Sequence, residues 1–181
     1  MYEVELKLRA DHDTVRERLV AEGAATRGAV VQRDTYYDAP HRDFAATDEA
    51  LRIRRVEEDG RVECRLTYKG PLVDDESKTR QEHETGVESG ETLAAALRAL
   101  GFEPVAEVRK RRERFALDGY AVTLDDVEDV GEFVEVEGEA VERDIDQVRE
   151  EVADVVRRIG LDPETNIRTS YLAMLLGNSS Q

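Results

Sequence analysis

The chain has one cysteine, Cys64. A disulfide framework needs a pair and a cysteine-rich zinc site needs several, so both are excluded. Cys64 falls in the apolar phase of VECRL, which predicts an unreactive buried thiol. Histidine is nearly as scarce. His12, His41 and His83 stand far apart without metal-ligand spacing, so packing or surface roles are expected. No apolar run approaches the roughly 18–20 residues that span a membrane. The chain opens directly in a strand pattern with no signal peptide, which predicts a cytoplasmic protein.

Basic charge is the other shortage. Asp and Glu number 42 against 26 Lys and Arg, a formal net charge of −16, and only Lys7, Lys69, Lys78 and Lys110 are lysines. Duplex nucleic acid is excluded as a partner, because binding to phosphate backbone needs a net basic face. The same field repels an anionic membrane. An acid-rich, lysine-poor surface is expected of a halophilic protein, whose self-repulsion is screened by salt. An ordinary acidic protein from an arginine-rich proteome is the other reading.

What is present is alternation. In MYEVELKLRA, Tyr2, Val4, Leu6 and Leu8 point one way and Glu3, Glu5, Lys7 and Arg9 the other, the mark of a half-buried strand. DHDTVRERLVAEGA follows as a helix, with Asp11 or Asp13 as cap, Val15 and Leu19 as apolar stripe and Gly23 as stop. Strand patterns resume in AVVQRDTYYDAP, EALRIRRVEE, RVECRLTYKG and SKTRQEHETGV. Asp59-Gly60 makes a hairpin turn and PLVDDES a loop. SGETLAAALRALGF is a second helix, capped by Ser89 and ended by Gly101. VAEVRKRRERFAL and YAVTLDDVE, joined at Asp118-Gly119, and GEFVEVEGEAV complete about eight strands. DIDQVREEVADVVRRIG is a third helix and TSYLAMLLG a short last one. LRALGFEP and VRRIGLDP resemble each other and suggest an internal duplication. Residues 1–181 read as one α+β domain.

A sheet with one wet face carries charge there as a matter of course. In this chain such a face should be acidic, like the rest of the surface. Instead the strand faces collect cations: Arg52 and Arg54 in LRIRR, Arg65 and Lys69 in RLTYK, Lys78 and Arg80 beside Glu82 and Glu84 in SKTRQEHE. VRKRR offers Lys110 with Arg112, although Arg109 and Arg111 leave its phase open. Gathered cations repel one another unless an anion joins them, and compact ammonium groups suit phosphate. Glu3, Glu5, Glu135 and Glu137 would oppose a polyphosphate unless a divalent cation stood between. Mg²⁺ takes one or two carboxylates together with phosphate oxygens. Closing eight strands into a barrel brings these faces around one polyanion and removes exposed edges. The interior is then polar, and the apolar phase faces outward under the helices.

EVELK, QRDTYYD, LRIRR, LTYKGP, KTRQEHE, VRKRR, LDDVEDVGEFVEVE and SYLAMLL run through nearly the whole chain in order. Together they resemble the CYTH superfamily, the triphosphate tunnel metalloenzymes, and most closely its class IV adenylyl cyclase (CyaB-type) branch. The one departure is VEDVG, where a more apolar VEGLG is usual. The resemblance implies an eight-stranded antiparallel tunnel, a nucleoside triphosphate or polyphosphate substrate, and Mg²⁺ or Mn²⁺ as two ions. Glu3 and Glu5 would ligate metal, with Glu135 and Glu137 facing them. Asp125 would hold the second ion or orient the attacking hydroxyl. Lys7, Arg52, Arg54, Lys69, Lys78, Arg80, Lys110 and Arg112 would grip the phosphates, the family pattern VxKxR favouring Lys110 and Arg112 in their strand. Glu5, Lys7, Lys110 and Asp125 form the implied catalytic set. The implied reaction converts ATP to 3′,5′-cyclic AMP and pyrophosphate. The alternatives are hydrolysis of tripolyphosphate, thiamine triphosphate or a nucleotide, and a non-catalytic binding module. Tyr36, Tyr37, Phe44 and Tyr171 could contact an adenine, and each suits the core equally well. A homodimer is compatible with all of this.

Overall fold

The computed structural model describes residues 2–73 and 79–178. Its eight strands are β1 (Tyr2–Arg9), β2 (Ala25–Asp38), β3 (Ala50–Glu58), β4 (Arg61–Leu72), β5 (Arg80–Val87), β6 (Glu103–Leu117), β7 (Tyr120–Val127) and β8 (Gly131–Ala140). They close into a barrel in the order β1-β5-β4-β3-β2-β6-β7-β8, every pairing antiparallel. Closure runs through β1 and β8, which pair along the whole of β1 from Tyr2↔Ala140 to Arg9↔Phe133. At the other neighbour, β1 meets β5 at Tyr2 and Glu3 among the described residues.

The hairpins form where expected. Asp59 and Gly60 both have positive φ, as do Asp118 and Gly119, the backbone that a two-residue turn between twisted strands requires. β2 starts four residues earlier than the alternation suggested. Its pairing with β6 crosses an irregularity between Thr26 and Ala29, which hides the period of two from a reading of the sequence.

Among the described residues four α-helices lie outside the barrel: α1 (His12–Ala21), α2 (Gly90–Ala99), α3 (Ile145–Arg158) and α4 (Tyr171–Asn178). Asp11 caps α1 by accepting from the Thr14 N–H, and Ser89 caps α2 by accepting from the Thr92 N–H. The likeness of LRALGFEP to VRRIGLDP has a local explanation. At the end of α2, Phe102 N–H bonds to Leu97 O and Gly101 N–H to Arg98 O; at the end of α3, Leu161 N–H bonds to Val156 O and Gly160 N–H to Arg157 O. Gly101 and Gly160 take φ of 88° and 84°. This is one helix-ending motif used twice, and its glycine supplies the left-handed residue.

The hydrophobic core is on the outside of the barrel wall. Leu6 and Leu8 of β1, Val122 and Leu124 of β7, and Val134 and Val136 of β8 are buried against Val15 and Leu19 of α1 and Val152, Val155 and Val156 of α3. At roughly 1.5–3 kcal/mol for each such side chain fully buried, this layer is what holds helices to wall. A smaller cluster sets Tyr37, Ile53 and Leu97 under α2, and a third packs Tyr171 of α4 on Val108, Val127 and Phe133. The outward apolar phase frees the inward phase to be charged.

The histidines pack. His12 is buried with Nε2 2.9 Å from Phe133 O, His83 stacks on Tyr68, and His41 meets Phe102 edge-on. Cys64 is half-buried, less enclosed than its apolar phase suggested, with Sγ lying where α2 begins at Gly90. No helix among the described residues is long and apolar enough to cross a membrane.

Candidate active site

A cavity of about 420 Å³ runs into the barrel. Alternation in β3 brings Arg52 and Arg54 to its wall, β6 brings Lys110 and Arg112, β4 Lys69, and β5 Arg80. From β1 come Glu3 and Glu5, and from β8 Glu135 and Glu137. The phase left open in VRKRR is resolved. Lys110 and Arg112 are buried, whereas the Arg109 side chain is 53% exposed and pairs outside with Glu128.

The interior is more acidic than the strand faces suggested. Asp34 of β2, Glu82 and Glu84 of β5, and Asp48 and Glu49 from the β2–β3 connection also line it, so nine carboxylates face six cationic side chains among the described residues. Glu82 and Glu84 share the phase of Arg80, and Asp34 shares that of Gln32 and Tyr36. Period-two reading of QRDTYYD could have placed Asp34. Asp48 and Glu49 lie in an irregular loop, where no periodicity points to them.

One oxygen from each of Glu5, Glu135 and Glu137 comes within 4.8 Å of the others. In the β1–β8 register Glu5 stands opposite Glu137 and Lys7 opposite Glu135. Burial, reinforced by Glu3, Glu135 and Glu5 and opposed by Arg112, pushes the Glu137 carboxyl up to about 8. Three acids this close, with one held protonated at neutral pH, form a donor set suited to a hard divalent cation, which relieves their repulsion. Glu3 lies outside this trio. It accepts from Lys69 Nζ at 3.2 Å, and the same Nζ sits 2.6 Å from Glu82.

Asp125 and Lys7 share the inward phase, opposite Arg112 and Glu135, but both are fully buried and neither lines the cavity. Asp125 accepts from Arg112 Nε at 2.6 Å, Arg112 Nη2 at 2.6 Å, Lys110 Nζ at 2.7 Å and the Tyr171 hydroxyl at 3.1 Å. Burial alone would raise its pKa, but Arg112 and Lys110 hold it below the ordinary carboxylate value. Four donated bonds leave it oriented as a clamp on Lys110 and Arg112. Burial and the neighbouring Arg112 draw Lys110 down, against Asp125 and Glu135. Lys7 Nζ donates to Thr169 O and lies 4.4 Å from the Tyr171 ring centroid, with Lys110 Nζ 5.0 Å from the same ring.

Arg112 also contacts Glu135, so it spans the acidic trio and the Asp125 clamp. Arg80 donates to Asp48 O and Gly70 O, each at 3.1 Å, and so tethers the β2–β3 connection to the wall. Lys78 lies outside the described residues. Of the aromatic candidates, Tyr36, Phe44 and Tyr171 line the cavity beside Leu172 and Leu176 of α4, while Tyr37 is in the core under α2.

The architecture is an inside-out closed barrel whose charged interior holds a carboxylate trio among arginines and lysines. The chain belongs to the CYTH family: the CYTH domain matches residues 1–171. It is 38% identical over 176 residues to a Methanocaldococcus jannaschii protein named "putative adenylate cyclase", covering 96% of this chain and 98% of that protein. To the adenylate cyclase CyaB of Aeromonas hydrophila it is 28% identical over 144 residues, 77% of this chain and 70% of that one. The solved structure of the PH1819 protein of Pyrococcus horikoshii superposes with a TM-score of 0.90 at 38% identity, covering 97% and 98% of the two chains.

Proposed function

We propose that the protein is a metal-dependent adenylyl cyclase that converts ATP to 3′,5′-cyclic AMP and pyrophosphate. The observation that carries this reading is the charge of the cavity. Among the described residues nine carboxylates against six cations make it net acidic, so a triphosphate is expected to enter with cations of its own. The trio of Glu5, Glu135 and Glu137 is where the chain can hold one. Mg²⁺ or Mn²⁺ bound there would neutralise phosphate charge and favour the ionised form of an oxygen it holds. A second ion rests on the family resemblance alone.

The chain's own residues have clear tasks in this scheme. Arg52, Arg54, Lys69, Lys110 and Arg112 bind the phosphate oxygens and hold the chain of phosphates in one register. Their charge also stabilises the pyrophosphate as it leaves. Asp125, itself held by the Tyr171 hydroxyl, fixes Lys110 and Arg112. Tyr36, Phe44, Leu172 and Leu176 offer the apolar surface that a nucleobase needs. The 3′-oxygen attacks the α-phosphorus as the bond from that phosphorus to the α–β bridging oxygen breaks, pyrophosphate leaves, and the hydroxyl proton passes to bulk water. The enclosed barrel keeps competing water away.

Hydrolysis at the γ-phosphate is the second reading. A Hippeastrum protein of this fold, 19% identical with a TM-score of 0.67 over 97% of this chain and 95% of that one, is described as having a dominant triphosphatase activity. The two readings separate in a product assay with ATP and Mg²⁺ or Mn²⁺. Cyclisation gives cyclic AMP and pyrophosphate in equal amounts with little phosphate. Rapid phosphate release from inorganic tripolyphosphate, with no cyclic nucleotide from ATP under either metal, would overturn the cyclase reading.

A further inference from the structure

The carboxylate of Asp34 has no task in the scheme above, yet it is only 2% exposed. It stands opposite Arg54 in the β2–β3 register. Oδ1 accepts from Arg54 Nε at 2.7 Å and Oδ2 from Arg54 Nη2 at 2.6 Å, a two-point grip on one edge of the guanidinium. The same Oδ2 accepts from Arg52 Nη1 at 3.2 Å. One acid therefore holds two arginines that both line the cavity.

The grip does not take every nitrogen. Asp34 does not engage Arg54 Nη1 or Arg52 Nη2, and Arg52 Nε is enclosed without an acceptor. A buried guanidinium N–H is costly to leave unpaired. Oxygen-rich phosphate in the cavity would supply acceptors to the nitrogens that Asp34 does not grip, and planar guanidinium groups reward correct orientation more than ammonium groups do.

We propose that Asp34 is a positioning residue that holds Arg52 and Arg54 with the guanidinium nitrogens it does not grip, Nη2 of Arg52 and Nη1 of Arg54, presented to the phosphate chain of the substrate. This rests on the cavity's taking a triphosphate and is independent of whether the product is cyclic. The competing role is charge neutralisation, and the two predict opposite signs. Removing a neutraliser makes the cavity more positive and tightens polyanion binding. Removing a positioning group lets the arginines turn away and weakens it.

The test is calorimetric titration of inorganic tripolyphosphate, with Mg²⁺ and again with chelator, into the wild type, Asp34→Asn and Asp34→Glu, each below its melting temperature. Asp34→Asn should bind at least about tenfold more weakly, the equivalent of one charged hydrogen bond, with the KM for ATP rising in parallel. Asp34→Glu keeps the charge but displaces the carboxylate by a methylene, so it should also bind more weakly, and it decides the matter if Asp34→Asn does not fold. Unchanged or tighter binding by a folded variant would overturn the proposal, since a role in folding alone lowers the melting temperature and spares affinity. If the wild type itself fails to bind tripolyphosphate, the triphosphate reading of the cavity falls, and this inference with it.

Discussion

Glu5 is 5% exposed and sits among acids that repel one another as well as any phosphate. Glu5→Gln keeps its size and removes its charge, so turnover should be abolished while the melting curve stays within a few degrees of wild type. Activity retained with Mg²⁺ at ordinary concentration would remove Glu5 from the metal set. Lys110 and Arg109 make a paired test. They are neighbours in sequence, but Lys110 is buried at the cavity and Arg109 is on the outside. Lys110→Ala should weaken triphosphate binding by about 1.5–3 kcal/mol, the value of one charged hydrogen bond, and Arg109→Ala should change it little. Isothermal titration of both variants checks this, and reversed effects would contradict the strand phase. Glu5 was legible as alternation; the phase at Lys110 was not, because basic residues fill both phases of VRKRR, and only the family resemblance favoured it. That Asp125 and Lys7 are wholly buried and do not reach the cavity surface was not legible, because phase does not say how deep a side chain lies.

At the scale of elements, the pairing of β2 with β3 carries its own pH dependence. Burial alone would raise the Asp34 pKa, but Arg52 and Arg54 hold it well below the ordinary carboxylate range. A carboxyl depressed on folding contributes stability that is fully present above its unfolded pKa of about 3.9 and is lost as pH falls towards the folded value. The wild type should therefore lose stability steeply below about pH 4. Asp34→Asn should be less stable at pH 7 by about 3–5 kcal/mol, since two buried guanidinium groups lose their partner, and its acid limb should be shallower. Urea unfolding from pH 3 to pH 7 measures both, and parallel limbs would show that the ion pair does not drive the acid transition. The pairing Asp34↔Arg54 joins residues twenty apart in sequence, so nothing local announced it. Strands, hairpin turns and helix caps were legible because each depends on residues a few positions apart.

For the whole molecule, −16 in 181 residues means repulsion that salt relieves. We expect the melting temperature and the activity to rise in molar KCl. A melting temperature indifferent to KCl would remove the high-salt reading and leave the site unaffected. The field also shapes access: the acidic cavity lies within an acidic protein, so free polyphosphate should bind poorly once divalent cations are chelated.

Composition and periodicity alone pointed to about eight strands with outer helices, an apolar phase and a charged phase, and ruled out a disulfide framework or a cysteine-rich zinc site. Those are local properties, set by which residues sit two or four positions apart. The gathering of cations read from single strands suggested a basic interior, and the tertiary structure decided otherwise. Barrel closure brings Asp34, Glu82 and Glu84 to the same cavity as the arginines, and the β2–β3 connection adds Asp48 and Glu49. Closure also brings Glu5, Glu135 and Glu137 within 4.8 Å across the β1–β8 junction. Electrostatic energy depends on distance through space, so the net sign of the site belongs to the closed barrel and not to any one strand.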